Sequence, residues 1–217
     1  KNSCLLQRDF YMVSKVLVTG GSGFLGRNLK KHIPGWIYLS SDDCDLLSIE
    51  NCNEVLGDYK PDAIVHLAGI VGGIKSNVEN QAEYYYKNTI MNTNLIHSAY
   101  KAGIKRVLSS LSTCMFPDTV ETYPLKEEDL HKGLPAVTNL SYGYTKRSLQ
   151  IQTISYRNQY KLNYSTFCPS NLYGPGDHFD SDRSHYIAAL VTKVSSAVDG
   201  DTIELWGTGE SLRLYLY

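Results

Sequence analysis

The sequence lacks long apolar runs, paired cysteines and any real excess of charge. No apolar stretch approaches the roughly 18 residues that a membrane-spanning helix needs. The 21 basic residues nearly balance the 22 acidic ones, which argues against binding to nucleic acid through charge. The five cysteines form no C-x-x-C pair and the six histidines show no ligand spacing, so we expect neither disulfides nor a metal site. This cysteine usage is typical of a reducing compartment and predicts a cytoplasmic protein.

Short β-branched runs alternate with stretches of helical spacing along the chain. The strand-like runs lie at residues 15–19, 36–39, 63–68, 106–108 and 164–168, and the helical stretches at 24–33, 48–56, 79–102 and 141–160. This alternation predicts an α/β fold with a Rossmann-type doubly wound parallel sheet. Two longer irregular stretches, 116–139 and 169–182, are expected to be functional loops.

A glycine-rich turn follows the first predicted strand. Gly20, Gly23 and Gly26 come directly after the strand and open the first predicted helix. In that context the first glycine permits a tight turn, the second lets backbone approach a pyrophosphate, and the third lets the helix pack on the strand. The helix N-terminus offers free N–H groups to the anion. The turn therefore predicts dinucleotide binding.

The tip of the second predicted strand bears on the choice between NAD and NADP. An enzyme specific for NAD normally has an acidic residue there for the ribose 2′-hydroxyl. Here Ser40 and Ser41 come first, and Asp42-Asp43 follow. Hydroxyls suit a 2′-phosphate better than a carboxylate does, so the pattern favours NADP(H), although no arginine stands beside them. Asp45 is a candidate for the adenine edge and equally for an ordinary helix start.

A Y-x-x-x-K motif, Tyr142 to Lys146, lies in a predicted long helix. The i, i+4 spacing puts the phenol and the ammonium on one helix face, and a neighbouring cation predicts a lowered pKa for the tyrosine. With 17 tyrosines the motif can arise by chance, and Tyr11 with Lys15 is a second match. Ser112 lies just after the fourth predicted strand. Together the three side chains suit a reaction at a nicotinamide ring.

These features resemble the extended short-chain dehydrogenase/reductase family, whose members act on nucleotide sugars. The segments HLAGIVGGI (66–74), LSTCMFP (111–117), PSNLYGP (169–175) and WGTG (206–209) are similar, within it, to the GDP-L-fucose synthases. The resemblance runs from about residue 15 to 213. It implies an NADPH-dependent epimerase–reductase that converts GDP-4-keto-6-deoxy-mannose to GDP-L-fucose.

The resemblance also implies a role for each matching residue. Tyr142 protonates the sugar C4 oxygen as hydride arrives, Ser112 hydrogen-bonds that oxygen, and Lys146 holds the nicotinamide ribose. Cys114 and His185 match the pair that moves protons at C3 and C5. The expected cofactor contacts are Gly20, Gly23, Phe24, Leu25, Gly26, Ser40, Ser41, Asp45, Leu46, Leu67, Ala68, Gly69, Lys146 and Asn171. The expected substrate contacts are Asn171, Lys193, Trp206 and Arg213.

The same resemblance suggests how the chain is divided. Residues 1–14 form an N-terminal extension, 15–170 an NADP-binding Rossmann domain, and 171–217 the start of a substrate-binding lobe. We expect this lobe to be incomplete and the chain truncated, because the family continues past Arg213. The family's dimers pair two long helices across a two-fold axis, so a homodimer through 79–102 and 141–160 is expected.

Simpler interpretations of the single residues stay open. A lone cysteine such as Cys114 is typically a small core residue, His185 would suit a helix start, and Lys193 a solvated helix face.

Other functions are also open to the same fold. A 4,6-dehydratase is disfavoured because residues 113–115 supply no acid pair. A simple 4-epimerase or 4-reductase would use Ser112, Tyr142 and Lys146 but has no use for Cys114 and His185. A catalytically impaired fragment that only binds NADP is the remaining alternative.

Overall fold

The computed structural model describes residues 14–120, 123–180, 184–205, 207–210 and 212–217. The chain divides into two compact units. The first comprises the described residues up to Gly69 with Thr89–Ser110 and Ser148–Phe167, and the second comprises Ile70–Asn88, Leu111–Arg147 and Cys168–Tyr217. The predicted division into 1–14, 15–170 and 171–217 stays a prediction.

A five-stranded parallel sheet forms the centre of the first unit. Its strands are β1 (Val16–Thr19), β2 (Ile37–Leu39), β3 (Ala63–His66), β4 (Arg106–Ser110) and β5 (Asn163–Phe167). They lie in the order β2-β1-β3-β4-β5, and every pair is parallel. The chain thus winds outwards in both directions from β1, and the predicted α/β class with a Rossmann-type sheet is confirmed.

Six α-helices lie in the described part of the chain. They are α1 (Phe24–His32), α2 (Ile49–Tyr59), α3 (Ile74–Glu79), α4 (Gln81–Lys101), α5 (Leu140–Tyr160) and α6 (Tyr186–Ser196). The helix predicted over 79–102 is confirmed as α4, whereas the short helix α3 before it, which ends at Asn80, was not predicted. Asn80 leaves helical geometry at the end of α3, and its side-chain amide donates to the carbonyl of Ser76 at 3.0 Å. Such local side-chain bonding competes with helix continuation.

The first unit is held by apolar side chains and by one buried polar network. Leu17 and Val18 of β1 are fully buried, which explains why this β-branched run forms a central strand. His66, at the end of β3, is also buried; its Nδ1 lies 2.7 Å from the Thr19 hydroxyl and its Nε2 2.9 Å from Asn92 Oδ1. These bonds tie together the carboxyl ends of β1 and β3, where a ligand binds in this type of sheet.

The second unit contains a small parallel pair of strands, β6 (Asn171–Leu172) and β7 (Tyr215–Leu216). Within the described residues, no helix combines the length and the apolar character that crossing a membrane requires.

Candidate active site

The glycine turn after β1 is shaped by close backbone contacts. Gly20 has φ +73°, and a Cβ there would lie 2.7 Å from the Ala68 nitrogen, so a side chain is excluded by both conformation and space. A Cβ on Gly26 would overlap the Gly20 carbonyl oxygen. Leu67 also donates its N–H to the Thr19 carbonyl at 3.2 Å. The turn is thus pressed against the segment that follows β3.

The N-terminus of α1 fits an anionic group. Helix α1 starts at Phe24 after Gly23, and within residues 14–120 no side chain caps it and no acidic residue occupies its first turn. Its first N–H groups and the positive end of its dipole suit a phosphate. The residues present therefore fit the pyrophosphate of a dinucleotide.

The tip of β2 is organised by an acidic side chain. Asp43 accepts hydrogen bonds from the Ser40 backbone N–H at 2.8 Å and the Ser40 hydroxyl at 2.7 Å, and these bonds lower the pKa of its carboxyl. The Ser40 hydroxyl is thereby bonded within the turn, while Ser41 is exposed. Asp45 accepts the Leu47 N–H at 2.9 Å, as an ordinary turn before a helix would require. Leu46 is buried.

A one-turn 3-10 helix after β4 carries two of the predicted catalytic residues. Ser112 precedes the turn Thr113–Met115, and its hydroxyl accepts the Cys114 N–H at 3.2 Å. Both side chains are half-buried. The hydroxyl and the thiol therefore lie two residues apart on one short, hydrogen-bonded turn.

Tyr142 and Lys146 lie one turn apart at the start of α5. Both are buried, at 7% and 3% exposure, and the Lys146 ammonium is 5.6 Å from the centre of the Tyr142 ring. The helix also approaches the Cys114 turn closely, because a Cβ at Gly143 would lie 2.7 Å from the Cys114 carbonyl oxygen. The structure thus brings Tyr142, Lys146 and the Ser112–Cys114 turn together within the second unit.

Burial dominates the electrostatics of this cluster. Desolvation raises the pKa of Tyr142, and the thiols of Cys114 and Cys168 raise it further. Desolvation also lowers the pKa of Lys146 to about 8, against a smaller raising effect of Cys168. The sequence predicts a lowered tyrosine pKa, and that expectation is wrong for this structure because the cost of burying a phenolate dominates the pKa of Tyr142. The phenol is consequently kept protonated at neutral pH, as a proton donor must be.

Cys168 is a member of the cluster that sequence reasoning missed. It follows β5 directly, as Ser112 follows β4, and the two strands are paired with Ser110 opposite Phe167. The residue is exposed as a whole, yet desolvation of its thiol, aided by Cys114, raises its pKa to about 11 against the lowering effect of Lys146. The sequence feature that could have pointed to Cys168 is its position at the end of a predicted strand.

His185 is the residue immediately before α6. Desolvation lowers the pKa of its imidazole, Asp177 opposes that effect, and His178 adds to it. The structure therefore groups His185 with the loop that precedes α6.

The predicted substrate contacts are distributed over the C-terminal part of the second unit. Asn171 donates its side-chain amide to the Leu214 carbonyl at 3.0 Å, and Lys193 donates to the Glu204 carbonyl at 2.6 Å. Arg213 is exposed and lowers the pKa of Tyr215 against the larger effect of burial. Trp206 lies outside the described residues. Their roles toward a ligand stay predictions.

Comparison with known proteins identifies the family. Residues 16–217 match the profile of the NAD dependent epimerase/dehydratase family. A GDP-L-fucose synthase of Dictyostelium discoideum is 34% identical over 210 residues, covering 93% of this chain and 65% of its own. The crystal structure of a GDP-L-fucose synthetase from Naegleria fowleri bound to NADP is 33% identical with a TM-score of 0.81, and the match covers 94% of this chain and 69% of that one. The chain belongs to this family, within the GDP-L-fucose synthases.

The family contains a second similar group. A GDP-L-colitose synthase of Yersinia pseudotuberculosis is also 34% identical over 210 residues, covering 94% of this chain and 68% of its own. The chain thus spans about two thirds of the length of these family members. The resemblance that the motifs indicate is confirmed.

The structure of this chain also contains a buried arginine that no sequence motif predicted. Arg147 follows the motif lysine; its Nε donates to the Met115 carbonyl at 2.7 Å and its Nη2 to the Gly133 carbonyl at 2.8 Å. It is only 6% exposed. Through these two hydrogen bonds, Arg147 of α5 holds the turn that carries Cys114 and the predicted loop 116–139 in place.

Proposed function

We propose that this chain is the cofactor-binding and catalytic part of an NADPH-dependent epimerase–reductase that converts GDP-4-keto-6-deoxy-mannose to GDP-L-fucose. The observation that carries the proposal is the gathering of Tyr142, Lys146 and Cys114 in one unit of a chain that belongs with the GDP-L-fucose synthases. The whole protein's activity is proposed here, since the chain spans about two thirds of its relatives' length.

NADP(H) is the proposed cofactor, and when bound it supplies the hydride that reduces the sugar at C4. The glycine turn and the uncapped start of α1 support this assignment, as does the NADP bound to the Naegleria fowleri relative. The residues that would hold it are Gly20, Gly23, Phe24, Leu25, Gly26, Ser40, Ser41, Asp45, Leu46, Leu67, Ala68, Gly69, Lys146 and Asn171.

Tyr142 acts as the proton donor of the reduction. Because burial keeps its phenol protonated, the proton is available for the C4 oxygen at neutral pH. The Lys146 ammonium, 5.6 Å from the ring centre, stabilises the phenolate that forms when the proton leaves. Ser112 hydrogen-bonds the same sugar oxygen.

Cys114 and His185 exchange the protons of epimerisation. The C4 ketone acidifies the neighbouring C3–H and C5–H bonds, so a thiolate and an imidazole can exchange those protons. Asn171, Lys193, Trp206 and Arg213 are the proposed substrate contacts, with the two cations directed at the nucleotide diphosphate.

The test is to incubate the full-length protein with GDP-4-keto-6-deoxy-mannose and NADPH in deuterated water. We expect NADPH oxidation and deuterium at C3 and C5 of the product. Absence of NADPH oxidation would contradict the reductase. Oxidation without deuterium would leave a simple 4-reductase, whereas a 4-epimerase would change the configuration at C4 without net NADPH oxidation. NADPH binding without turnover would indicate a protein that only binds the cofactor.

Another GDP-sugar epimerase–reductase is the second candidate. The Yersinia pseudotuberculosis GDP-L-colitose synthase is as similar to this chain as the Dictyostelium discoideum enzyme, at 34% identity each. Comparing kcat/KM over a set of GDP-4-keto sugars separates the two. A higher value for a sugar other than GDP-4-keto-6-deoxy-mannose would favour this candidate.

The proposed assembly is a homodimer through α4 and α5. Ile151, in the middle of α5, is 51% exposed, and an apolar side chain there suits a helix–helix interface. Light scattering should give twice the chain mass for the wild type and the chain mass for Ile151→Glu. A wild-type monomer would contradict the assembly.

The proposed location is the cytoplasm. Four described cysteines, Cys44, Cys52, Cys114 and Cys168, are free thiols, which is typical of a reducing compartment. Cell fractionation tests this, and recovery with secreted proteins would contradict it.

A further inference from the structure

We propose that Asp177 is a positioning residue for His185, with its carboxylate holding the imidazole in the orientation that proton transfer requires. The inference rests on the proposed function, in which His185 exchanges a proton with the sugar. The observation behind it is that Oδ2 of Asp177 is buried and has no hydrogen-bond partner in the described residues.

The loop before α6 fixes the Asp177 carboxylate. Asp177 donates its N–H to the Gly174 carbonyl at 3.1 Å, and Gly174 and Gly176 have positive φ values of 146° and 86°, which glycine adopts without strain. The other carboxylate oxygen, Oδ1, accepts the His178 N–H at 2.7 Å. One oxygen therefore anchors the side chain and the other remains available.

Burying a carboxylate oxygen without a hydrogen bond costs free energy, so we expect a hydrogen-bond donor for this oxygen. Buried polar atoms in folded proteins are nearly always hydrogen-bonded, and the exceptions concentrate at functional positions. The Asp177 carboxylate raises the pKa of His185 against the larger effect of desolvation, and the ring N–H of His185 is a suitable donor for its free oxygen. Hydrogen bonds of catalytic groups also tighten when substrate binds.

The charges around His185 suit the Asp177–His185 pair to proton transfer. Desolvation and His178 disfavour the imidazolium, whereas the Asp177 carboxylate favours it. A neutral imidazole is the form that accepts a proton, and the carboxylate stabilises the charge that forms when it does. A carboxylate behind a histidine also selects one ring tautomer.

The decisive experiment is an NMR titration of histidine rings labelled with ¹³C and ¹⁵N, with His185 assigned from the signal lost in His185→Gln. In Asp177→Asn the pKa of His185 should fall by about one pH unit, because the stabilising charge is gone. The matched control is Asp180→Asn, which removes a charge from the same loop. An unchanged His185 titration in Asp177→Asn, or an equal fall in Asp180→Asn, would overturn the proposal.

Two further measurements keep the test independent of folding and of turnover. In the wild type, ¹⁵N shifts should show one dominant His185 tautomer at high pH, and an even mixture would count against positioning by Asp177. In the solvent-exchange assay, Asp177→Asn should slow deuterium incorporation about tenfold and move the acidic limb of the pH profile to lower pH. If the wild type neither exchanges deuterium nor oxidises NADPH, the proposed function fails. If it does both and Asp177→Asn matches it, only the present inference fails.

Discussion

The ammonium of Lys146 lies 5.6 Å from the centre of the Tyr142 ring, and both side chains are buried at the start of α5. The pair is close enough for the cation to stabilise a phenolate, yet burial keeps the resting phenol protonated. Burial therefore keeps the proton on the resting phenol, and Lys146 stabilises the phenolate that forms when the proton is transferred.

Separate roles for Tyr142 and Cys114 predict opposite losses in two variants. Tyr142→Phe should lower NADPH oxidation by about a hundredfold or more while solvent exchange continues, because only the C4 proton donor is removed. Cys114→Ser should impair deuterium incorporation first. Absorbance at the NADPH band and mass spectrometry of the recovered sugar measure the two activities. Equal loss of both in Tyr142→Phe would contradict the division.

Lys146→Met is expected to stabilise the fold while abolishing reduction. The folded pKa of Lys146 is about 8, against an ordinary value of 10.5, so the folded state must carry a disfavoured charge at pH 7. Removing it should raise the free energy of unfolding at pH 7 by on the order of 2–3 kcal/mol.

The lowered pKa of Lys146 also determines how the stabilisation in Lys146→Met depends on pH. The destabilisation is fully present below pH 8 and is relieved as pH rises from 8 toward 10.5, because only the unfolded lysine is then protonated. Urea unfolding should show the gain falling by about half or more between pH 7 and pH 9.5. The control is Lys87→Met, which removes an exposed lysine paired with Glu83 and should change stability by less than about 1 kcal/mol. A pH-independent gain would refute the assignment.

Two glycine-to-alanine substitutions should act in opposite directions. Gly20→Ala puts a Cβ 2.7 Å from the Ala68 nitrogen at φ +73°, so it should cost about 2 kcal/mol or more and weaken NADPH binding at least tenfold. Gly57 lies within α2, and a Cβ there would meet no atom of the described residues within 4 Å, so Gly57→Ala should stabilise the fold by about 0.5–1 kcal/mol. Urea unfolding and NADPH fluorescence titration measure both. Normal NADPH affinity in Gly20→Ala would argue against the turn as the cofactor site.

Arg147→Lys is expected to loosen the turn that carries Cys114. Lysine cannot reproduce the two guanidinium bonds to Met115 and Gly133, so the loss should be about 2–3 kcal/mol. The Cys114 thiol should also react faster with a thiol reagent. Arg157→Lys, in the exposed last turn of α5, is the matched control and should stay within about 0.5 kcal/mol of the wild type. Equal stability of the two variants would show that the bonds of Arg147 are dispensable.

Features that depend on local spacing were predictable from the order of the residues. The buried run of β1, the glycine turn after it and the i, i+4 pair of Tyr142 and Lys146 follow from short-range geometry, so their elements were predictable within a few residues. Helix α3 was not predicted, because six residues are too few to show a helical period and its end is set by the side chain of Asn80.

The surroundings of the site residues depend on how the helices and strands pack. Burial reverses the expected pKa shift of Tyr142, and Cys168 joins the cluster from the end of another strand. Asp177 keeps one carboxylate oxygen without a hydrogen-bond partner among the described residues. Desolvation and contacts between residues distant along the chain depend on how the elements pack, and spacing carries no information about either.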